Sequence, residues 1–245
     1  MANKFACKSA SASTTADITA RSLTVSAAAQ SKAYDGNTTA LVSFSDDRVS
    51  GDALIVSASS ANFDTKDVGT AKPVSVLDIG ISGLDAGNYA LANTTAPSSA
   101  DITTASLTGH ITADNKVYDG NDSATIATRT LTGVIGAEDV SLIGGTATFN
   151  NKNVGNGKTV TATGLSLSGA DMGNYALASS GATTTANITA IAIAGSVTLT
   201  NKIYDGTTNA IIVARAVTGV VGADDVTLTG GAAAYEDKNV GTNKN

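Results

Sequence analysis

Asp85-Ala86-Gly87-Asn88-Tyr89-Ala90-Leu91 returns 86 positions later as Asp171-Met172-Gly173-Asn174-Tyr175-Ala176-Leu177. With one copy laid on the other, further markers fall into step. Tyr-Asp-Gly begins at Tyr34, Tyr118 and Tyr204, spaced 84 and 86. A Lys-Asp/Asn-Val-Gly motif centres on Val68, Val154 and Val240, spaced 86 and 86, and Asp/Asn-Ile-Thr centres on Ile18, Ile102 and Ile188, spaced 84 and 86. Four markers that keep one period define a tandem repeat. They divide the chain into 1–19, a leader plus the closing strand of a unit whose body is absent; 20–103, repeat unit 1; 104–189, repeat unit 2; and 190–245, repeat unit 3, which stops just past its Lys238–Gly241 motif. Both ends read as cut from a longer array.

Ahead of Tyr-Asp-Gly the chain alternates with period two. Leu107, Gly109, Ile111 and Ala113 share one face against Thr108, His110 and Thr112, and Ile193, Gly195, Val197 and Leu199 repeat the pattern. That is the signature of a half-buried antiparallel strand. Asp-Gly then supplies a turn, because glycine takes positive φ freely and aspartate tolerates it. Ala124–Leu131, Asp139–Ile143 and Thr146–Phe149 read as further short strands bounded by Gly or Asn. Along Thr159–Ser168 the alternation changes phase: Val160 and Ala162 are even, Leu165 and Leu167 odd. Unit 1 shows the same slip, from Val74 and Val76 to Ile79 and Ile81. A one-residue slip turns the buried face over, so a bulge or bend is expected near Asp78 and Gly164.

At 42% hydrophobic and 15% charged residues the chain is too apolar to be disordered. Its apolar set is mostly small or β-branched and nowhere keeps a helical period, so the fold is all-β. The opening heptapeptide has the Asp-x-Gly-x-Tyr shape of the tyrosine corner of immunoglobulin-type sandwiches, in which a buried Tyr returns its hydroxyl to upstream backbone. Leu91 and Leu177 stand where antibody domains place a disulfide cysteine. Seven or so short strands in a repeat of this length read as tandem immunoglobulin-like β-sandwich repeats. The alternative is β-grasp-like repeats, for which no ten-residue helical pattern supplies the helix.

Composition also excludes function classes. Lys+Arg 15 against Asp+Glu 21 leaves a net charge of −6 with no basic stripe, which argues against nucleic-acid binding. One Cys and one His make neither a structural zinc site, a disulfide framework nor a Cys–His nucleophile pair. No apolar run reaches the roughly 18 residues of a membrane span. No catalytic residue, cofactor or metal ligand is assigned, and an enzyme is not expected. Asp35, Asp119 and Asp205 read as Asx-turn residues; calcium would need several convergent oxygens, and Asp67 becomes Asn153 and Asn239 in the other repeats. Lys66, Lys152 and Lys238, with Asn88 and Asn174, read as solvated turn residues rather than a covalent Lys–Asn pair. His110 is expected to face solvent, Ser26 and Ser196 taking its place elsewhere. Cys7 lies in the nonrepeating leader. Asn37, Asn93, Asn121 and Asn187 head Asn-x-Ser/Thr sequons. The threonines of Thr159–Thr163 and Thr183–Thr185 read as an ordinary exposed β face.

The Lys-x-Tyr-Asp-Gly openings at Lys32, Lys116 and Lys202, the Lys-x-Val-Gly middle, the Gly-Asn-Tyr-Ala-Leu run and the closing Ile-Thr occur in that order. Together they resemble the YDG-type repeat of large bacterial secreted adhesins similar to filamentous haemagglutinin. The resemblance covers the chain from about residue 11 onward. It implies an extracellular or cell-surface location and a tandem all-β stalk that projects a binding region. The implied partners are neighbouring repeats of the same chain, and a host cell or matrix receptor reached through the parent protein. It carries no catalytic site. The alternative is a host- or matrix-binding module acting through its inter-strand loops. Ser45–Asp52, charged and lacking the Thr-Gly-Val-Ile/Val-Gly run of the other repeats, is then the candidate loop. Repeat unit 3 is expected to be loose, and the 11–19 segment to be a closing strand without its sheet.

Overall fold

A computed structural model describes residues 13–245. About half of them lie in strands, and the helical segments among them are two 3₁₀ turns, Ala86–Asn88 and Met172–Asn174. The chain is all-β, as its small, β-branched composition requires. Cys7 and the rest of the leader to residue 12 lie outside the described residues.

The first repeat contains β1 (Arg21–Leu23), β2 (Val25–Ala29), β3 (Lys32–Ala33), β4 (Val42–Asp46), β5 (Ile55–Ser57), β6 (Ser60–Phe63), β7 (Gly69–Leu77), β8 (Gly80–Ser82), β9 (Tyr89–Leu91) and β10 (Ala96–Thr103). One sheet has the order β3-β10-β7-β6. β3 lies parallel to β10, with Lys32 opposite Ile102, and β1 lies parallel to β9, with Arg21 opposite Tyr89. The remaining pairs, β2 with β4 and β5 with β8, are antiparallel. In the second repeat come β11 (Ala105–Ala113), β12 (Lys116–Val117), β13 (Ser123–Ala124), β14 (Ile126–Thr132), β15 (Ser141–Phe149), β16 (Gly155–Ser168), β17 (Tyr175–Leu177) and β18 (Ala182–Thr189), with a five-stranded sheet in the order β12-β18-β16-β15-β13. The third repeat has only β19 (Ala194–Leu199) paired with β21 (Ile212–Thr218), and β20 (Asn209–Ala210) paired with β22 (Ala233–Ala234).

Two strands expected over Asp139–Ile143 and Thr146–Phe149 are one, β15. Gly144 and Gly145 both take positive φ, 71° and 84°, so the strand turns sharply there without losing its pairing to β16. The expected bends sit where the phase slips. Asp78 has φ 53° and Gly164 φ 75°, and each rotates its strand so that Val74, Val76 and Ile79, or Val160, Ala162 and Leu165, all point inward.

The described residues form two compact units: 13–105 with Gly173–Tyr175, and Ser106–Met172 with Ala176–Asn245. The second and third repeats thus share one unit. Beyond Ile188 no described hydrophobic residue is fully buried, so the third repeat has no core of its own. In the second repeat the core includes Ile111, Leu142, Phe149, Val160, Ala162, Leu165 and Ile188. In the first it includes Leu23, Val74, Val76 and Ile102. The Ile of the closing Asp/Asn-Ile-Thr is 1% exposed at both Ile102 and Ile188, whereas Ile18, in the same sequence context, is fully exposed.

Candidate functional site

The recurring charged residues are where a function would be sought, and most are consumed inside their own repeat. β3 ends one residue before Tyr34, and the Tyr-Asp-Gly turn folds back over Lys32. The Lys32 ammonium donates to Asp35 Oδ1 at 2.8 Å, to Asn37 O and Oδ1 at 2.9 and 3.0 Å, and to Thr39 O at 2.9 Å. It also lies 5.6 Å from the centre of the Phe63 ring. Lys116 repeats the cage with Asp119, Asn121 and the Phe149 ring, and Lys202 with Asp205, Thr207 and the Tyr235 ring. An ammonium so enclosed has its donors saturated and its charge neutralised. The three aspartates also close Asx turns, accepting the backbone N–H of Asn37, Asn121 and Thr207 at 3.1, 3.2 and 2.9 Å. The Lys202 ammonium, helped by the Thr207 backbone N–H and hydroxyl, holds Asp205 down to about 2. Asp119 is lowered for the same reason, Lys116 first.

Reading the motifs alone misses a second recurring lysine. Lys72, Lys158 and Lys244 keep the 86-residue period and reach back across the Val-Gly loop. Lys72 pairs with Asp64 at 3.0 Å and Thr65 Oγ1 at 2.6 Å, Lys158 donates to Asn151 Oδ1 at 2.6 Å, and Lys244 to Asp237. Arg129 and Arg215, also 86 apart, each donate to a glycine carbonyl, Gly144 O at 2.8 Å and Gly230 O at 2.9 Å. The period itself is the signal that finds them.

The tyrosines divide by role. Tyr89 buries its ring at the start of β9 and its hydroxyl returns to upstream backbone, as expected, but over a much longer separation than the few residues of a tyrosine corner. It accepts the Val49 N–H at 2.9 Å and donates to Asp52 Oδ2 at 2.5 Å, forty and thirty-seven residues away in sequence. The reason is the loop Ser45–Asp52, where Arg48 is tied to Asp46 and to Leu54 O and so presents Val49 and Asp52 to the ring. Tyr34 belongs to the first unit with Tyr175, whose ring meets it edge-on at 5.5 Å and 77°. In the same unit Asn174 is buried and accepts the Val68 N–H at 3.0 Å, which places it in packing rather than in solvent. Lys66 lies over the Tyr34 ring at 5.7 Å. In the second unit Tyr118 donates to Asp224 Oδ2 at 2.6 Å, and Lys152 reaches Asp224 Oδ1 at 3.4 Å while lying 6.0 Å from the Tyr118 ring centre. The Tyr118 hydroxyl, with Lys152 behind it, draws Asp224 below the usual carboxylate range, and Asp224 in turn pushes the phenol up.

His110 faces solvent on β11, its Nε2 3.3 Å from Thr132 Oγ1. Among the described residues no three His, Cys, Asp or Glu side chains converge as metal ligands would. No described helix is long and apolar enough to cross a membrane. Of the sequon asparagines, Asn93 has both ends of its amide engaged with the backbone of Val25 and Thr95. Asn37 and Asn121 serve the lysine cages, and Asn187 accepts the Gly157 N–H. Thr159, Thr161 and Thr163 pair across β15, β16 and β18 with Thr185, Thr183, Thr148 and Thr146 on an exposed face.

These observations define a class: tandem all-β modules whose recurring lysines, aspartates and tyrosines hold the modules' loops in place. The YDG domain model matches the chain three times in succession, over residues 19–96, 103–186 and 183–245, and the protein belongs to the YDG domain family. No curated protein and no solved structure gives a significant match.

Proposed function

We propose that the chain is a structural spacer segment of a bacterial cell-surface or secreted adhesin, built from immunoglobulin-like sandwich repeats that project a binding region and perform no catalysis. The observation that carries this reading is the fate of the family's signature residues. Lys32, Lys116 and Lys202, with their aspartates, direct their hydrogen bonds to their own loops. A repeat whose most recurrent groups are self-satisfied suits lengthening of a chain, since each unit can be added without redesign of the core. The motif order resembling haemagglutinin-like adhesins supports the extracellular location.

Two measurements test it. Antibody raised against the chain is expected to label intact source bacteria; label appearing only after lysis would refute the surface location. The purified chain, passed over immobilised matrix proteins and glycans, is expected to give no saturable binding. Saturable binding lost on replacing Ser45–Asp52 would establish the binding-module reading instead.

A further inference from the structure

Each repeat carries one turn of a common geometry that its sequence conceals. Asp52 N–H donates to Val49 O at 3.2 Å, Glu138 N–H to Ile135 O at 3.4 Å, and Asp224 N–H to Val221 O at 3.2 Å. Each turn therefore presents an apolar side chain and, three residues on, an acid. Each repeat also carries a Tyr-Asp-Gly tyrosine and, 32 to 34 residues later, a loop lysine: Tyr34 and Lys66, Tyr118 and Lys152, Tyr204 and Lys238.

Within the second unit these two features meet. The Val221–Asp224 turn of the third repeat seats on the Tyr118–Lys152 socket of the second. Asp224 takes the phenol proton donor on one oxygen and the ammonium on the other. Val221 packs against Gly120 so closely that a Cβ there would stand 3.0 Å from Val221 Cγ1. The glycine of Tyr-Asp-Gly thus leaves room for the neighbour's apolar side chain, a use distinct from its φ of 82°.

The corresponding socket of the third repeat is open. Tyr204 is 58% exposed, Ile203 and Val240 are almost fully exposed, and a groove of about 760 Å³ runs between Tyr204, Lys238 and Val240. The first repeat offers a matching turn, with Val49 46% exposed and only one Asp52 oxygen engaged by Tyr89 among the described residues. We infer that the Tyr204–Lys238 socket is a docking surface for the Val49–Asp52 turn of a second copy of this chain. Tyr204 donates to the carboxylate, Lys238 neutralises it, and Val49 seats over Gly206, whose Cβ position is open. Socket and turn differ, so a single contact is heterologous, and copies joined through it add head to tail.

The joint inside the chain works at an effective concentration of about millimolar, so the contact between separate copies is read at high protein concentration. Sedimentation velocity on the full chain, from about 10 μM to about 1 mM, is expected to show a mass that rises with concentration and falls with added salt. Lys238→Glu disables the socket and leaves the turn; Asp52→Asn disables the turn while keeping an acceptor for the Tyr89 hydroxyl. Each variant alone is expected to associate at least tenfold more weakly, and Tyr204→Phe to weaken association without changing the fold. Mixed in equal amounts, the Lys238→Glu and Asp52→Asn chains retain one good socket and one good turn between them, and form a complex that stops at two copies. A wild-type chain that stays monomeric at 1 mM, variants that associate like wild type, or a mixture that stays monomeric would each overturn the proposal.

Discussion

Three copies of one short motif, two buried and one exposed, allow the core to be tested with an internal control. Ile188 is 1% exposed in β18, opposite Lys116 on one side and Gly155 on the other. Replacing it with Ala removes three carbons, worth about 0.8 kcal/mol each, or ~2.4 kcal/mol in transfer. The residual cavity adds about 1 kcal/mol or more at roughly 24 cal/mol per Å³, so Ile188→Ala should cost ~3–4 kcal/mol. Ile102→Ala should cost a similar amount in the first repeat, where the residue is equally buried. Ile18→Ala, fully exposed, should stay within about 0.5 kcal/mol of wild type. Urea titration followed by far-ultraviolet circular dichroism reads all three; tyrosine fluorescence serves as the second probe, since the chain has no Trp. A loss below about 1 kcal/mol for Ile188→Ala, or an Ile18→Ala loss equal to it, would refute the assignment of the closing strand to the core.

Further outcomes follow from the turns, the cages and the thin third repeat. Gly169 has φ 117°, and a Cβ there would stand 2.1 Å from Asp139 O, so Gly169→Ala should lower Tm markedly, whereas Gly157→Ala, with open space around it, should cost only its backbone strain, about 1 kcal/mol. Asp205, held at about 2 by Lys202, has a folded pKa below its unfolded one; its contribution is fully present above about pH 4 and is lost as pH falls through 2. Asp205→Asn should therefore flatten that part of the acid-denaturation curve, and an unchanged curve would dissociate the cage from stability. Backbone amides of β19 and β21 should exchange faster than those of β16 and β18, because no described residue beyond Ile188 is a buried hydrophobic; equal protection in hydrogen-exchange mass spectrometry would count against a third repeat without its own core.

What is legible in the sequence is what depends on neighbours along the chain. The period, the strand alternation, the Asx turn at Asp35 and the phase slip at Asp78 all act over a few residues, so residue order carries them. The merging of two expected strands into β15 escapes because two adjacent glycines, read as a break, serve as a hinge within one strand. The partners of the Tyr89 hydroxyl escape because Val49 and Asp52 lie in a loop whose sequence differs from that of its counterparts. The acid turn escapes for the same reason. Val49-Ser-Gly-Asp52 and Val221-Gly-Ala-Asp224 share a hydrogen bond and an acid, not a string of letters. The Tyr118–Asp224 bond spans 106 residues, a separation at which pairing is a property of packing alone. The lysine cages are half legible: Lys32 is recognisable as recurrent and Asp35 as a turn residue, but their contact requires the turn to fold back over the strand that precedes it.

The parallel pairing of early strands with late ones has a mechanical consequence. In the first repeat β1 lies beside β9 and β3 beside β10, each pair running the same way. When such a repeat is pulled by its two ends, partners in each pair are drawn along their common axis in opposite directions. The bonds between them are then strained in shear and must give way together, whereas an antiparallel hairpin under the same load opens one bond at a time, like a zip. In the first repeat, resistance to such a load therefore comes from strand direction and needs no pair of cysteines.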